Sequence, residues 1–343
     1  MSLPNVFTTP DGRGSAAHPV LLALYYSCPA LVKQVLDSKT NSDTLTHAVK
    51  RSWSSLGSSN DCSAVWDLIG ETLVPADSAV LFNQMCDLFD AELSNAATNA
   101  LGVETRNTIQ SGARVKTEFP ARAYLFPLSI QLKADIEGTD LLSILRQNFE
   151  VTKIDYMFPD DIEPIESTKT LRISNVLHET VVLHFQRSRY DFGTREYAKI
   201  YDRIEFPAQI SGKELSGFCE EGAVTQAISS ATLDLVAVLT HNDENGYGLL
   251  LKPNANGPWF KCCGPEPILE TSIESVFGGD IDQDVAYMLF YKVSGQGSLT
   301  RKMSKRASLL PATQKPTKVE TEIGNKPQAT KSEPASGGCC TMA

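Results

Sequence analysis

No stretch of the 343-residue chain approaches the roughly eighteen uninterrupted apolar residues that a membrane-crossing helix needs. The opening MSLPNVFTTPDGRG has neither a basic segment nor an apolar one behind it, so no secretory leader is expected and the cytosol is the expected location. Cysteine occurs at 28, 62, 86, 219, 262, 263, 339 and 340, but never as C-x-x-C. That spacing argues against a zinc site or a disulfide framework and for reduced, mostly buried thiols. No metal and no cofactor is therefore expected. Basic residues are the minority, 31 Lys and Arg against 41 Asp and Glu, and they are unevenly placed. Residues 300–343 hold eight Lys or Arg against three Glu (+5), so the overall charge of −10 leaves −15 on residues 1–299. An acidic body argues against nucleic acid as a partner; it suits a basic protein partner, or simply solubility.

What is present is enough apolar sequence, 42%, to bury a sizeable core. The first ~18 residues read as loop, and PVLLALYYSCPALVKQVLD then reads as helical, with Pro29 at a kink or boundary. Residues 43–56 and 77–95 extend this helical layer, the latter with Phe82, Met85, Cys86, Phe89 and Leu93 on one face. After about residue 113 the period shortens: LSIQLKADI alternates Leu128, Ile130 and Leu132 with polar residues, as a half-buried strand does. A short helix at about 140–148 follows the candidate caps Thr139 and Asp140. TVVLHFQRSRYD, KIYDRIEFP, LDLVAVLTH, GYGLLLKP, WFKCC and VAYMLFYKV follow as expected strands, and ETSIESVF offers Thr271 and Glu274 as a capping box for one or two helical turns. Helices first and an antiparallel sheet later give an α+β protein. From about residue 296 the text is rich in Lys, Pro, Thr and Ser and nearly free of aromatics, so 1–295 is expected to fold and 296–343 to be a disordered basic tail.

The order of those strands resembles the C-terminal half of the ubiquitin-specific proteases, papain-like cysteine peptidases that cleave ubiquitin from proteins. ETVVLHFQRSRYD is similar to the family's PPVLxxHLKRFxYD, KIYDRIEFP to KIxDxVxFP, LDLVAVLTH to a strand ending in a non-catalytic His, and VAYMLFYKV to the closing AYxLxY. GRGSAAHPVLLALYYSCPALVKQVL stands where GNTCYMNSLLQxLFxxPxFRxxV is expected, and ADSAVLFNQMCDLFDAEL where QQDxQEFLxxLLDxL is expected. The resemblance runs from about 12 to 293. It implies a papain-like fold with a helical thumb over about 12–110, and with fingers and an antiparallel-sheet palm over 113–295. The fingers would be reduced and metal-free, because 150–170 contains no cysteine.

In that family a Cys thiolate attacks, a His carries the proton, an Asp or Asn orients the His, and an Asn stabilises the oxyanion. The resemblance maps these roles onto Ser15, Gly246, Cys263 and Pro10. All four positions have been replaced. Serine needs a base, glycine has no side chain to act as one, and a prolyl nitrogen donates nothing to an oxyanion. His241 and His18 are candidate substitute bases, more simply read as a strand-end and a helix-start histidine. Cys28, Cys262 and Cys263 are candidate substitute nucleophiles, more simply read as buried thiols. Asp77 keeps one carboxylate of the acidic pair that meets the ubiquitin tail, with Val80 in place of the other, and Tyr247 keeps the aromatic beside the base position.

The chain stops at GGCCTMA, which puts Cys340 in a C-a-a-X frame with a farnesyl-type final Ala and sets Cys339 beside it for a palmitoyl chain. The basic RKMSKR at 301–306 supplies a further membrane signal, and Ser308 lies in a basophilic-kinase spacing from which a phosphate would weaken it. The expected function is that of an inactive ubiquitin-specific-protease-like module. It would bind ubiquitin, a ubiquitinated protein or another partner, and be tethered by lipid to the cytosolic face of a membrane. The alternative is an active thiol-dependent deubiquitinase with an atypical site, such as Cys28 with His241.

Overall fold

The computed structural model describes residues 17–56, 65, 68, 77–118, 127–132, 140–175, 177–191, 193, 195–242, 246–254, 257–262, 269–278 and 284–295. Pro10, Ser15, Cys263, Cys339, Cys340, Thr139 and the tail from 296 onward lie outside the described residues. The chain divides into two units, Met1–Lys302 and Met303–Ala343, and the second also lies wholly outside them.

The helical layer comes first. α1 (Ala17–Ser27) and α2 (Pro29–Asp37) meet at 103° across Cys28. Pro29 opens α2 at its first turn, where its missing N–H costs nothing. α3 (Leu45–Ser54), α4 (Ser78–Glu92) and α5 (Ala96–Leu101) complete the layer. Two of these helix starts borrow carboxylates from distant sequence. Glu92 accepts from the Leu45 and Thr46 amides of α3 at 3.3 and 2.9 Å, and Glu179 accepts from the Ala30 amide of α2 at 2.9 Å. Thr180 Oγ1 donates to the Ser27 carbonyl at 2.6 Å, so the corner between α1 and α2 is fastened at that one point. Each bond satisfies a terminal group that a helix leaves unpaired.

Strands begin at Thr105, earlier than the change of period at 113 suggests. β1 (Thr105–Ser111) and β2 (Arg114–Glu118) form a hairpin, and with β4 (Thr152–Tyr156) and β5 (Ile165–Ile173) they make a four-stranded antiparallel sheet in the order β2-β1-β5-β4. β3 (Leu128–Gln131) belongs to a second, eight-stranded sheet. Its other members are β6 (Thr180–Gln186), β9 (Gln209–Ser211), β10 (Thr232–Asn242), β11 (Gly246–Leu251), β12 (Trp259–Cys262), β13 (Leu269–Thr271) and β14 (Val285–Ser294). Its main path is β13-β12-β11-β10-β14-β6-β3, with β9 on β10. The sheet is mixed rather than purely antiparallel, because β3 runs parallel to β6. The free edge of β3 is covered: Asn148 of α6 (Leu141–Asn148) accepts from the Gln131 amide and donates to its carbonyl, both at 3.0 Å. Asp140 caps α6 through the Ser143 amide at 3.0 Å.

The large sheet is buried on both faces. Leu249 and Leu251 belong to one apolar cluster with the α1–α5 layer, while Leu250 belongs to a second with α6, α7 (Gly212–Ser216) and α8 (Ala223–Ser229). Met288 and Phe290 face the first cluster, and Leu289 and Tyr291 the second. That is why GYGLLL and AYMLFY read as unbroken apolar runs. The architecture is α+β, with helices on both faces of its main sheet.

Two local expectations are corrected. KIYDRIEFP is not a strand over its length: β8 (Glu196–Lys199) pairs only with β7 (Ser188–Asp191), and residues 200–208 carry no ladder. Single bonds hold that segment: Glu205 bridges Asp140 and accepts from the Leu141 amide at 2.8 Å, the Ile204 amide donates to the Phe277 carbonyl at 2.8 Å, and the buried Arg187 donates to the Ile200 and Asp202 carbonyls at 3.1 Å each and to Ala286 O at 2.7 Å. In ETSIESVF, Thr271 ends β13 and the cap moves to Ser272, which accepts from the Glu274 amide and starts a single 3-10 turn, Ile273–Val276.

Candidate functional site

Asp77 stands just before α4 with an extended backbone (φ −69°, ψ 125°), so its side chain folds over the helix start. One carboxylate oxygen accepts from the Ala79 and Val80 amides at 2.7 and 3.2 Å, and the other accepts from the Tyr287 hydroxyl at 2.6 Å. The helical layer and the large sheet are thus joined through one carboxylate. Val80, which the resemblance sets where a second acid would stand, is 46% exposed and its side chain has no polar group.

Tyr287 reaches Asp77 because β14 bulges. Leu239 faces Met288 while Thr240 faces Ala286, leaving Tyr287 as the extra residue. A bulge turns a side chain onto a face that alternation denies it: Ala286 packs in the second cluster, while Tyr287 and Met288 both pack with the first. Around Tyr287 lie three more rings. His184 of β6 is at 4.7 Å between centroids, Tyr247 of β11 at 5.6 Å and His241 of β10 at 6.0 Å, while His241 and Tyr247 meet edge to face at 4.7 Å. The strand register dictates the grouping, since β10 sets His241 opposite both Tyr247 and Val285, and β6 sets His184 opposite Met288.

Burial decides the protonation of this cluster. Burial pushes the Tyr247 phenol up to about 12, with the Asp77 charge adding to it, and burial and the bond to Asp77 push the Tyr287 phenol above the usual tyrosine range. Burial pulls His184 down to about 4 against the pull of Asp77, and burial followed by the Lys199 charge lowers His241. Near neutral pH both phenols stay protonated and both imidazoles neutral. The His184 Nδ1 lies 3.4 Å from the Ser129 hydroxyl, while its Nε2 is buried without a hydrogen-bond partner.

The positions carried by the resemblance fall out as follows. Gly246 opens β11 opposite Asn242, at φ +73°. That left-handed backbone, at the first residue of β11, is one a side chain with a Cβ rarely adopts. Position 246 therefore lacks more than an imidazole: its main chain suits a turn glycine. Tyr247 follows it and joins the cluster, as does Asp77. β12 ends at Cys262, opposite Leu249, one residue short of Cys263. His18 is a buried second residue of α1.

Cys28 and His241 do not come together. Thr180, fastened to Ser27 beside Cys28, lies opposite Lys292 on β14, whereas His241 lies opposite Val285 on the same strand. Seven residues of extended chain separate the two, about 23 Å. Cys28 is also fully buried, its thiol pushed up to about 12 by that burial, so it is a protonated, enclosed sulfur and a poor nucleophile. Cys219 is likewise pushed up to about 12, and Cys86 and Cys262 are buried in the first cluster. Among the described residues, no group of three or more His, Cys, Asp or Glu is placed to hold a metal ion, and no single helix is long and apolar enough to cross a membrane.

No protein-family model matches the chain. The chemical reading therefore rests on the geometry alone. Among the described residues, the cluster around Asp77 has one hydroxyl beside an imidazole, Ser129 and His184 at 3.4 Å, and burial holds that imidazole down to about 4, which makes it a weak base. It offers hydrogen-bonding phenols, ring faces and a negative carboxylate, which are means of holding a ligand. His184, Tyr287 and Ser129 were not singled out from the sequence. His184 and Tyr287 sit inside stretches that read only as strands, and neither alternation nor spacing marks the bulge that gathers them.

Proposed function

We propose that the chain is a catalytically inactive ubiquitin-specific-protease-like domain that works by binding, either to ubiquitin or as a scaffold for another protein. The observation that carries this reading is the contrast at β11. Tyr247 is held in the ring cluster at Asp77, while its neighbour Gly246, at the position of the base, has a turn backbone and no side chain. A papain-like arrangement of the helical layer, main sheet and four-stranded sheet as thumb, palm and fingers is part of the same proposal, supported by the order of the motif-bearing strands. So is a cytosolic membrane attachment through Cys340, aided by Cys339 and RKMSKR. The active-enzyme alternative built on Cys28 and His241 has the separation along β14 against it.

The test of binding is a titration of labelled ubiquitin with the purified full chain. Saturable binding that weakens in Asp77→Asn supports the ubiquitin-binding form, whereas no response at high concentration leaves only the scaffold form. A ubiquitin vinyl-type probe should give no adduct, and an adduct lost on Ser15→Ala or Cys28→Ala overturns the proposal. Membrane fractionation of the parent against Cys340→Ser decides the anchor; equal partition removes the lipid from the account.

A further inference from the structure

The outer strands of the four-stranded sheet, β2 and β4, have β1 and β5 between them. At the ordinary strand spacing that is about 14 Å. They are offset along the strands as well: Lys116 of β2 faces Ile109, Ile109 faces Lys169, and Lys169 faces Thr152, four residues short of Tyr156 on β4. Side chains nevertheless join the two. The Lys116 ammonium donates to the Tyr156 hydroxyl and pairs with Glu118 at 3.2 Å, and the Tyr156 hydroxyl donates to Glu118 at 3.1 Å. In the turn that follows β4, Asp161 pairs with Arg114 of β2 at 2.5 Å and accepts from the Phe158 amide at 3.2 Å. The Arg114 guanidinium lies 4.9 Å over the Phe158 ring, which meets Tyr156 edge to face at 5.0 Å.

Contact between strands that are not neighbours requires the sheet to curl. Within it Ile109 and Ser167, on the two central strands, are only 2% exposed, an unusual enclosure for so small a sheet. The donor set does not fit zinc, which the resemblance implies for this region in many members of that family. Two cations, two carboxylates and two rings repel a divalent ion more than they ligate it, and no thiolate or imidazole is among them. We propose that Arg114, Lys116, Glu118, Tyr156, Phe158 and Asp161 form a metal-free latch that sets the curl of the four-stranded sheet and opens at high ionic strength. The ion pairs at its two ends share the Tyr156–Phe158 contact, so weakening either end loosens the other. This inference does not depend on what the protein binds.

Hydrogen exchange on the full chain tests it. Raising NaCl from about 0.05 to about 1 M shortens the screening length to about 3 Å. This should speed exchange of the β1 and β5 amides about threefold to fivefold. β6 and β10 should hold, reporting an intact fold. The Arg114→Gln/Lys116→Met double variant should exchange fast at low salt and lose the salt response, and Tyr156→Phe, a milder change, should fall between. EDTA should change nothing. Exchange independent of salt, variants indistinguishable from the parent, or acceleration by EDTA each overturn the latch.

Discussion

The two main sheets hold their shape by different means. The eight-stranded sheet is packed on both faces by side chains such as Leu249, Leu250, Phe290 and Tyr291, so its stability comes from apolar area removed from water. The four-stranded sheet exposes Val115 of β2 and joins its outer strands through ions and rings. The first should answer chiefly to changes of buried volume, and the second, on the latch proposal, to ionic strength. The site around Asp77 belongs to the first kind, which suits a place where several rings must hold one arrangement.

The largest expected effect breaks the packed sheet. Phe290 is fully buried and meets Phe82 edge to face at 5.9 Å, so Phe290→Ala should lower the unfolding free energy by about 3–5 kcal/mol in a denaturant titration. An acid titration sharpens the same contrast. His184 has its folded pKa depressed from 6.5 to about 4 by burial, with Asp77, Tyr287 and Ser129 facing it. The unfolded chain binds that proton first, so its contribution is complete above pH 6.5 and is lost as pH falls toward 4, amounting to at most about 3 kcal/mol. Thermal melts of the parent should fall over that window, and those of His184→Gln should fall less; equal slopes would place the acid sensitivity elsewhere. A smaller effect belongs to the turn. Gly246→Ala forces a Cβ into φ +73° and should cost about 1–2 kcal/mol, measured by the same melts. A neutral result would mean that the hairpin readjusts and that position 246 is not bound to its turn backbone.

Much of this was legible beforehand, for reasons that particular residues show. Met85, Cys86 and Phe89 at helical spacing are all buried, and the alternation of Leu128 and Ile130 survives as a short strand with those two inside. Asp77 and Tyr247, named separately, do meet around Tyr287. What stayed hidden is what strand periodicity averages away. The bulge at Tyr287 moves one side chain across the sheet without altering the apolar run. Arg187 binds 200–202 by donating to carbonyls, which no pattern of its own residues announces. The latch joins strands that are neighbours neither in sequence nor in the ladder.

Turnover tests most directly the proposal that the domain holds its ring cluster without catalytic chemistry. A ubiquitin-based fluorogenic substrate incubated with the purified full chain should release no fluorophore above the no-protein rate, in the parent and equally in Gly246→His, whose imidazole would hang from a turn backbone. Steady release by the parent that Ser15→Ala or Cys28→Ala abolishes would contradict it.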